Sequence, residues 1–505
     1  MTRPNIVLIM ADQLAPQFTG AYGHPVVKTP HMDALAARGM RFDAAYCNSP
    51  LCAPSRASFM AGRFVTNIGA YDNAAEFTAS TPTWAHYLRT KGYRTCLSGK
   101  MHFVGPDQMH GFEERLTTDI YPSDHAWTPD WENPGERIDK WYHNMDSVKE
   151  AGPAATTFQI EYDDEATFFA RRRIMEYAMQ KTAPFAMVVS LIHPHDPYVP
   201  RPEFWDLYDD DEIDMPTLGN ATDPHSERLK TGIEADVDSA NEDEVRAARR
   251  AYYANTSYFD AKVGEIVKAL EESGQLDNTI VIVTSDHGDL LGERGLWYKM
   301  SFLEHSARVP LIMAGPGVAQ GTCASPVSLV DIAPTFIEIA GGADLGAPLD
   351  GRSITGLMAG GEDDGEAVCE YTAECAPGWP MFMIRRGRFK YIACEVDPPM
   401  LFDLEADPGE LVNLADDPDH ADTAQAFAEE VARRWDAAAI RSDVIANQKR
   451  RRAVHAAMEA GALTSWDYQP PRDAAQEYVR NHQDWTVTAA KTRFPPLIKG
   501  KGARS

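Results

Sequence analysis

Apolar residues recur along this chain in two distinct patterns. Short runs without interruption, Asn5 to Asp12, Phe185 to Leu191 and Thr279 to Thr284, have the length and character of strands buried on both faces of a parallel sheet. Each run ends in polar groups: Asp12, then His193-Pro194-His195-Asp196-Pro197, then Ser285-Asp286-His287-Gly288. Between the runs the pattern becomes helical. Thr29-Pro30 predicts a helix start, with Thr as N-cap and Pro in the first turn, and Gly39 predicts its end. A long helix is predicted over Glu242 to Ser273, because Val245, Ala248, Tyr252, Phe259, Val263, Ile266 and Leu270 fall near one face and Gly274 is a stop. Strands alternating with helices predict an α/β fold, a large, mainly parallel sheet flanked by helices. Ligands of such folds bind at strand carboxyl ends, where Asp12, His195, Asp286 and His287 are expected to converge.

After about residue 367 the texture changes. Arg385 to Ile392 and Met400 to Leu404 read as short antiparallel strands, followed by a turn-rich stretch at Glu405 to Glu410 and a helix from Asp419 to Ala438. The expected organisation is a catalytic α/β domain over 1–367, a smaller C-terminal α+β subdomain over 368–460 and a tail over 461–505. Trp466, Tyr468, Tyr478 and Trp485 in that tail are expected to pack on this subunit or a neighbour, which predicts a homo-oligomer, a dimer or tetramer.

Composition narrows the partners. With 48 basic and 75 acidic side chains among 505 residues, the formal charge is −27, which argues against a nucleic-acid partner. An anionic small molecule would need a local positive site. No run approaches the length of a membrane span, and Met1-Thr2-Arg3-Pro4-Asn5 lacks the zones of a signal peptide, so a cytoplasmic location is expected. Cys47, Cys52, Cys96, Cys323, Cys369, Cys375 and Cys394 are odd in number and lack zinc-type spacing; most are expected to be buried thiols.

Candidate chemistry centres on Pro50-Leu51-Cys52-Ala53-Pro54-Ser55-Arg56-Ala57-Ser58-Phe59-Met60-Ala61-Gly62. Cys52 is expected just before a helix whose first turn holds Pro54 and Arg56, where the helix end and the guanidinium favour an anion and lower a thiol pKa. A plain buried cysteine before a helix fits these residues equally well. Gly92-Tyr93-Arg94-Thr95-Cys96-Leu97-Ser98-Gly99-Lys100-Met101-His102 follows. The Cys-x-Pro-x-Arg core and this second segment, with Asp12 before them and Asp286-His287 after, resemble the sulfatase family of the alkaline phosphatase superfamily over about residues 4 to 415.

That resemblance implies a sulfuric ester hydrolase whose nucleophile is Cys52 oxidised to formylglycine by a formylglycine-generating enzyme. It implies a divalent metal on Asp12, the modified Cys52, Asp286 and His287. Calcium is the family expectation. Gln13 and His287 replace a carboxylate and an amide common among sulfatases, which leaves manganese or magnesium open. Arg56, Lys100 and Lys299 would hold the sulfate. His195 would protonate the leaving oxygen together with Lys299, and His102 would take up a proton as sulfate leaves. His193 is expected to be structural.

Tyr71 to Glu76, Gly99 to Glu114, Thr118 to Pro122, Asp286 to Lys299 and Arg480-Asn481-His482 resemble the choline sulfatase branch of that family. Asn73, Trp127 and Glu374 are the substrate contacts this implies, an aromatic face and a carboxylate being what a quaternary ammonium needs. For Trp127 a core role beside Pro129 fits equally well, and Thr486 stands where the branch leads one to expect a tail carboxylate. The competing functions are an arylsulfatase or broad alkyl/aryl sulfatase, a phosphonate monoester or phosphate diester hydrolase, and a catalytically silent anion-binding protein.

Overall fold

Asn5 to Asp12 form strand β1, every residue of it buried. This strand is the axis of a computed structural model that describes residues 3–136, 138, 143–180, 183–490 and 493–496. Met1, Thr2 and the tail positions 491–492 and 497–505 lie outside the described residues. The other strands in the first two thirds of the chain are β2 (Met40–Phe42), β3 (Ala45–Tyr46), β4 (Arg94–Gly99), β5 (Glu114–Arg115) and β6 (Phe185–Pro194). They continue with β7 (Thr279–Ser285), β8 (Leu311–Ala314), β9 (Gly321–Cys323) and β10 (Val327–Ser328). Eight of them form one sheet in the order β5-β4-β6-β1-β7-β8-β2-β9, and β3 pairs with β10. From β5 to β7 all pairings are parallel. β8 runs antiparallel to both β7 and β2.

Side chains of β1 alternate between two cores, as the period of a strand requires. Val7, Ile9 and Ala11 pack with Ala166, Ala170 and Ile174 of the helix Phe158–Gln180 and with Phe259, Val263 and Ile266 of the helix Glu242–Glu272. Ile6, Leu8 and Met10 face the opposite core, which contains Phe59, Trp84 and Phe336. The long helix starts at a capping box, in which the Asn241 side chain accepts from the Glu244 N–H at 3.1 Å while the Glu244 carboxylate accepts from the Asn241 N–H at 2.8 Å. With helices on both faces, polar backbone and side chains of the parallel strands emerge only at the strand ends.

The C-terminal region departs from the sequence reading at two places. β11 (Glu366–Tyr371), β12 (Met381–Arg386), β13 (Phe389–Cys394) and β14 (Met400–Asp403) make an antiparallel sheet in sequence order. The single strand expected over Arg385 to Ile392 is therefore two strands joined at Gly387-Arg388, where Gly387 takes φ +54°. The helix expected from Asp419 to Ala438 ends at Arg434. Trp435 leaves it in extended conformation to stack on Phe382 at 4.4 Å and to donate its indole N–H to Glu370 at 2.7 Å. Asp436 then caps a new helix, Ala437–Glu459, by accepting from the Ala439 N–H at 2.9 Å.

The first part of the tail packs on its own chain: Asp467 accepts from the Ser123 N–H and hydroxyl, Trp466 meets His125 edge-on, and Tyr468 lies under Arg115. Tyr478 and Trp485 are exposed. All seven cysteines are free, five of them buried. No helix among the described residues is long and apolar enough to cross a membrane.

A buried ion cluster fastens the small sheet to the large domain. Lys390 of β13 is fully buried with its ammonium 3.0 Å from Glu304 and 2.7 Å from Glu410, and Glu410 also accepts from the Glu304 N–H. Removing one partner of such a group strands the others in a poorly solvating interior. Lys390→Met should therefore destabilise the fold by about 3–5 kcal/mol. The exposed pair Arg171–Glu265 is the control, and Arg171→Ala should cost about 0–1 kcal/mol. Urea unfolding midpoints measure both; equal small shifts would contradict the account.

Candidate active site

Sheet order decides which residues meet. β4, β6, β1 and β7 are consecutive neighbours, so their carboxyl ends deliver Lys100, His195, Asp12 and Asp286-His287 in a row. β4 approaches β6 so closely before Lys100 that a Cβ on Gly99 would lie 1.9 Å from the Ser190 carbonyl oxygen, and Gly99 takes φ +105°. Only glycine fits there. Non-glycine residues with left-handed backbone surround the same spot: Gln13 (φ 67°), His102 (φ 52°), Tyr298 (φ 65°) and Met300 (φ 70°). Strain of this kind persists where the surroundings over-determine a functional geometry.

The helix Cys52–Ala61 is buried along its whole length. Cys52 is its first residue, after extended Leu51, and so lies within the first turn where the sequence reading put it just ahead of the helix. The Ala53 N–H donates to Asn73 Oδ1 at 3.0 Å, and Ser55 Oγ donates to the Asp286 carbonyl at 2.6 Å. Cys52 Sγ lies 3.2 Å from His287 Nε2 and 3.7 Å from Asp12 Oδ1. Burial, then the Asp12 charge, pushes its thiol up to about 12.

Arg56 joins the two carboxylates. Its Nε donates to Asp286 at 2.8 Å, its Nη2 is 3.5 Å from Asp12, and its Nη1 donates to the Lys100 carbonyl and Ser190 Oγ, both at 2.8 Å. Nη2 has no hydrogen-bond partner among the described residues. The Lys100 ammonium contacts Asp12 and sits 4.3 Å from the centre of the Tyr121 ring. Burial alone would raise Asp12, but the positive groups packed around it, Lys100 first, hold it well below the usual carboxylate range.

Oxygen, nitrogen and sulfur atoms of Asp12, Cys52, Asp286 and His287 all lie within 4.8 Å of one another and are buried. His287 Nδ1 is bonded to the Gly288 carbonyl at 3.0 Å, which puts the proton there and leaves the Nε2 lone pair facing Cys52 and Asp12. Burial holds His287 down near 4, in the neutral form a ligand requires. Two carboxylates, a neutral imidazole and the side chain at position 52 fit a divalent cation.

Two histidines flank this group. The Lys299 ammonium donates to Gln13 Oε1 at 2.6 Å and to His195 Nε2 at 2.9 Å, while His195 Nδ1 bonds the Asp196 carbonyl at 2.5 Å. Gln13 in turn donates to Asp289 at 2.7 Å and to Asp196 at 3.2 Å. His102 is held by Asp119, which accepts from the Met101 and His102 N–H groups at 2.9 Å and from Arg115 at 2.7 Å. Burial and then Lys100 push His102 down to about 3. Both its ring nitrogens are buried without a hydrogen-bond partner among the described residues, so a ligand or water must satisfy them.

Trp127 is half-buried, edge-on to His102 at 5.8 Å and to Tyr121 at 5.5 Å, a wall position and not a core one. Glu374 is buried, held up near 7 by burial, close enough to feel the Lys299 charge, and lines a cavity of about 420 Å³ with Trp131 and Arg228. His193 bonds Asp163 at 2.6 Å away from this centre. Tyr121, Asp119, Gln13 and Asp289 complete the site. Gln13 lies next to Asp12, and Asp119, Tyr121 and Asp289 lie inside segments singled out from sequence, but the sequence reading gave none of the four a role.

A family model described as Sulfatase matches residues 4–343, and models described as N-sulphoglucosamine sulphohydrolase, C-terminal, and Choline sulfatase enzyme C terminal match 292–436 and 442–494. The chain is 47% identical to a choline-sulfatase of Rhizobium meliloti (strain 1021), covering 98% of this chain and 99% of that protein. It is 31% identical to arylsulfatase K of Homo sapiens over 82% and 79% of the two chains. Its fold matches the crystal structure of a phosphonate monoester hydrolase of Agrobacterium radiobacter with a TM-score of 0.68 at 24% identity, over 88% and 96% of the two chains.

A cation held by the four converging side chains should stabilise the fold by linkage. Calcium or manganese added to chelator-treated protein at about a hundredfold over Kd should contribute about 2.7 kcal/mol, seen as a raised unfolding temperature. Asp286→Asn should lose most of that shift. An unfolding temperature indifferent to both ions would rule out the assignment.

Proposed function

This chain belongs to the sulfatase family, and we propose that it hydrolyses choline sulfate to choline and sulfate. The observation that carries the reading is the pairing of two unlike walls. A floor of Arg56, Lys100 and Lys299 suits a sulfate group, while half-buried Trp127 beside Tyr121, with the Glu374 carboxyl near enough to feel the Lys299 charge, suits a quaternary ammonium. An overall charge of −27 repels anions at large but not a zwitterion's cationic end. Near-full-length similarity to a choline-sulfatase supports the same choice.

Asp12, Cys52, Asp286 and His287 would hold the divalent cation, calcium on the family expectation, and Cys52 would be converted to formylglycine by a formylglycine-generating enzyme. Together these would supply an oxygen nucleophile of lowered pKa at the helix start. Arg56 Nη2, Lys100 and Lys299 hold sulfate oxygens and offset charge that spreads over them in the transition state. The proton for the departing alcohol oxygen resides on the Lys299–His195 pair, since the ammonium donates to Nε2. His102, neutral and with neither ring nitrogen hydrogen-bonded among the described residues, accepts the proton released as sulfate leaves.

Substrate comparison tests the reading. kcat/KM for choline sulfate should exceed that for its neutral isostere, 3,3-dimethylbutyl sulfate, by about tenfold. Trp127→Ala should erase this advantage while leaving an aryl sulfate nearly unaffected. Preference for a phosphate diester by orders of magnitude, or equal loss on both sulfates, would contradict it.

Glu374 adds a pH signature. Its carboxyl is held up near 7 by burial, so it is neutral below that pH and charged above it. The pull on a quaternary ammonium is present above about pH 7 and lost below it, so KM for choline sulfate should rise as pH falls through that value. KM for an aryl sulfate should stay level, and Glu374→Gln should flatten the difference. A KM ratio independent of pH in the unmutated enzyme would exclude this contact.

A further inference from the structure

The three residues assigned to the alcohol side of the substrate, Asn73, Trp127 and Glu374, do not come from the strand ends that build the sulfate side. They come from three loops, and each loop is tied to the next. Thr372 Oγ1 donates to the Tyr71 carbonyl at 2.8 Å, and Trp131 Nε1 donates to the Ala373 carbonyl at 2.9 Å. The Asn73 and Trp127 loops rest on the helix Ala437–Glu459, whose buried residues are Val444, Gln448 and Arg451, and Arg441 of the same helix donates to the Gly378 carbonyl beyond Glu374.

Arg451 is the centre of that contact. Its guanidinium is bidentate to Asp72, Nη1 to Oδ1 at 2.8 Å and Nη2 to Oδ2 at 2.7 Å, and Nη1 also donates to Thr128 Oγ1 at 3.0 Å. Asp72 precedes Asn73, and Thr128 follows Trp127. One planar group therefore fixes the backbones next to two of the three contacts. Nε donates to Asn447, and the side chains of Arg451 and Asp72 are 5% and 0% exposed. Neighbouring turns reinforce the docking: the Trp131 N–H donates to Gln448 at 2.9 Å, Arg452 pairs with Asp130, and Lys449 pairs with Glu132.

A bidentate, buried arginine has a geometric specificity that a lysine lacks, because its fork fixes orientation as well as distance. Small displacements of a binding wall cost much more in recognition than in fold. We infer that Arg451 is a positioning residue that sets specificity for the alcohol half of the ester, by clamping the Asn73 and Trp127 loops onto the C-terminal helix. This rests on the choline sulfate reading for the identity of that alcohol. The sulfate half is held mainly by β1, β4 and β7 and by the bonds from Ser55 and Arg56 to Asp286, and it meets the Asn73 loop at one bond, from the Ala53 N–H to Asn73 Oδ1.

The experiment measures kcat and KM for choline sulfate, 3,3-dimethylbutyl sulfate and 4-nitrophenyl sulfate. Proteins compared are wild type, Arg451→Gln, Arg451→Lys and the double variant Arg451→Gln with Asp72→Asn, which leaves no buried charge unpaired if the single variant fails to fold. KM for choline sulfate should rise about tenfold or more in Arg451→Gln or the double variant, with kcat and the 4-nitrophenyl sulfate constants within about threefold of wild type. Arg451→Lys should recover part of the loss. Equal losses on choline and aryl sulfates in the folded variants would mean a general structural role and overturn the inference. So would unchanged constants. A wild type that prefers choline sulfate over its neutral isostere, together with a double variant that keeps this preference, rejects the role of Arg451 and leaves the choline reading standing. A wild type without that preference rejects the choline reading, and the inference with it.

Discussion

Two neighbouring parallel strands carry Asp12 and Asp286 to the same buried point, and the Arg56 guanidinium between them is the interaction on which the site depends. Like charges in a poorly solvating interior cost several kcal/mol each unless paired in good geometry. Arg56 bonds one carboxylate, faces the other and reaches the Lys100 carbonyl, so it ties β1, β4 and β7 together from a helix that is not part of the sheet. Burial alone would lower its pKa, but Asp286 and Asp12 raise it. The helix start that holds Cys52 is thereby fixed against the strand ends. Without this pairing the four potential metal ligands would repel or neutralise one another.

The main sheet and its chemistry were legible from sequence because buried parallel strands leave an unmistakable trace. An all-apolar run that ends in Asp12, or in Asp286-His287, has few other readings, and the parallel order then brings the ends together. Asn241 and Gly274 bound the long helix by local chemistry, so its limits were readable too. The C-terminal region was less so. Trp435 interrupts a helical pattern because Phe382 and Glu370 offer a stack and a hydrogen bond from a distant strand, and nothing within that segment announces either. The helix Ala437–Glu459 was missed because two of its three buried residues, Gln448 and Arg451 beside Val444, are polar and leave no continuous apolar stripe. Asp119 and Asp289 lie inside segments singled out from sequence, but their roles escaped because these lie in what they hold, His102 and Gln13.

The molecule divides its labour accordingly. On the proposed reading, strand ends and one buried helix, positioned by sheet register, would handle sulfate. Loops resting on the C-terminal helix would face the alcohol. The first is a product of the core; the chain as a whole shares its fold with a phosphonate monoester hydrolase at a TM-score of 0.68. The second depends on a docked helix lying within the stretch that matches the choline sulfatase C-terminal model. On that reading, reaction type and substrate choice have largely different structural supports in one chain, joined where the Ala53 N–H donates to Asn73.

Everything assigned to the site turns on the state of residue 52, so the most direct measurement is peptide mass spectrometry of that segment after expression with a formylglycine-generating enzyme. The account predicts that the Cys52 peptide carries an aldehyde that a hydrazine probe captures, and that turnover of choline sulfate scales with the modified fraction across preparations. Full turnover from protein whose Cys52 is an unmodified thiol would contradict it.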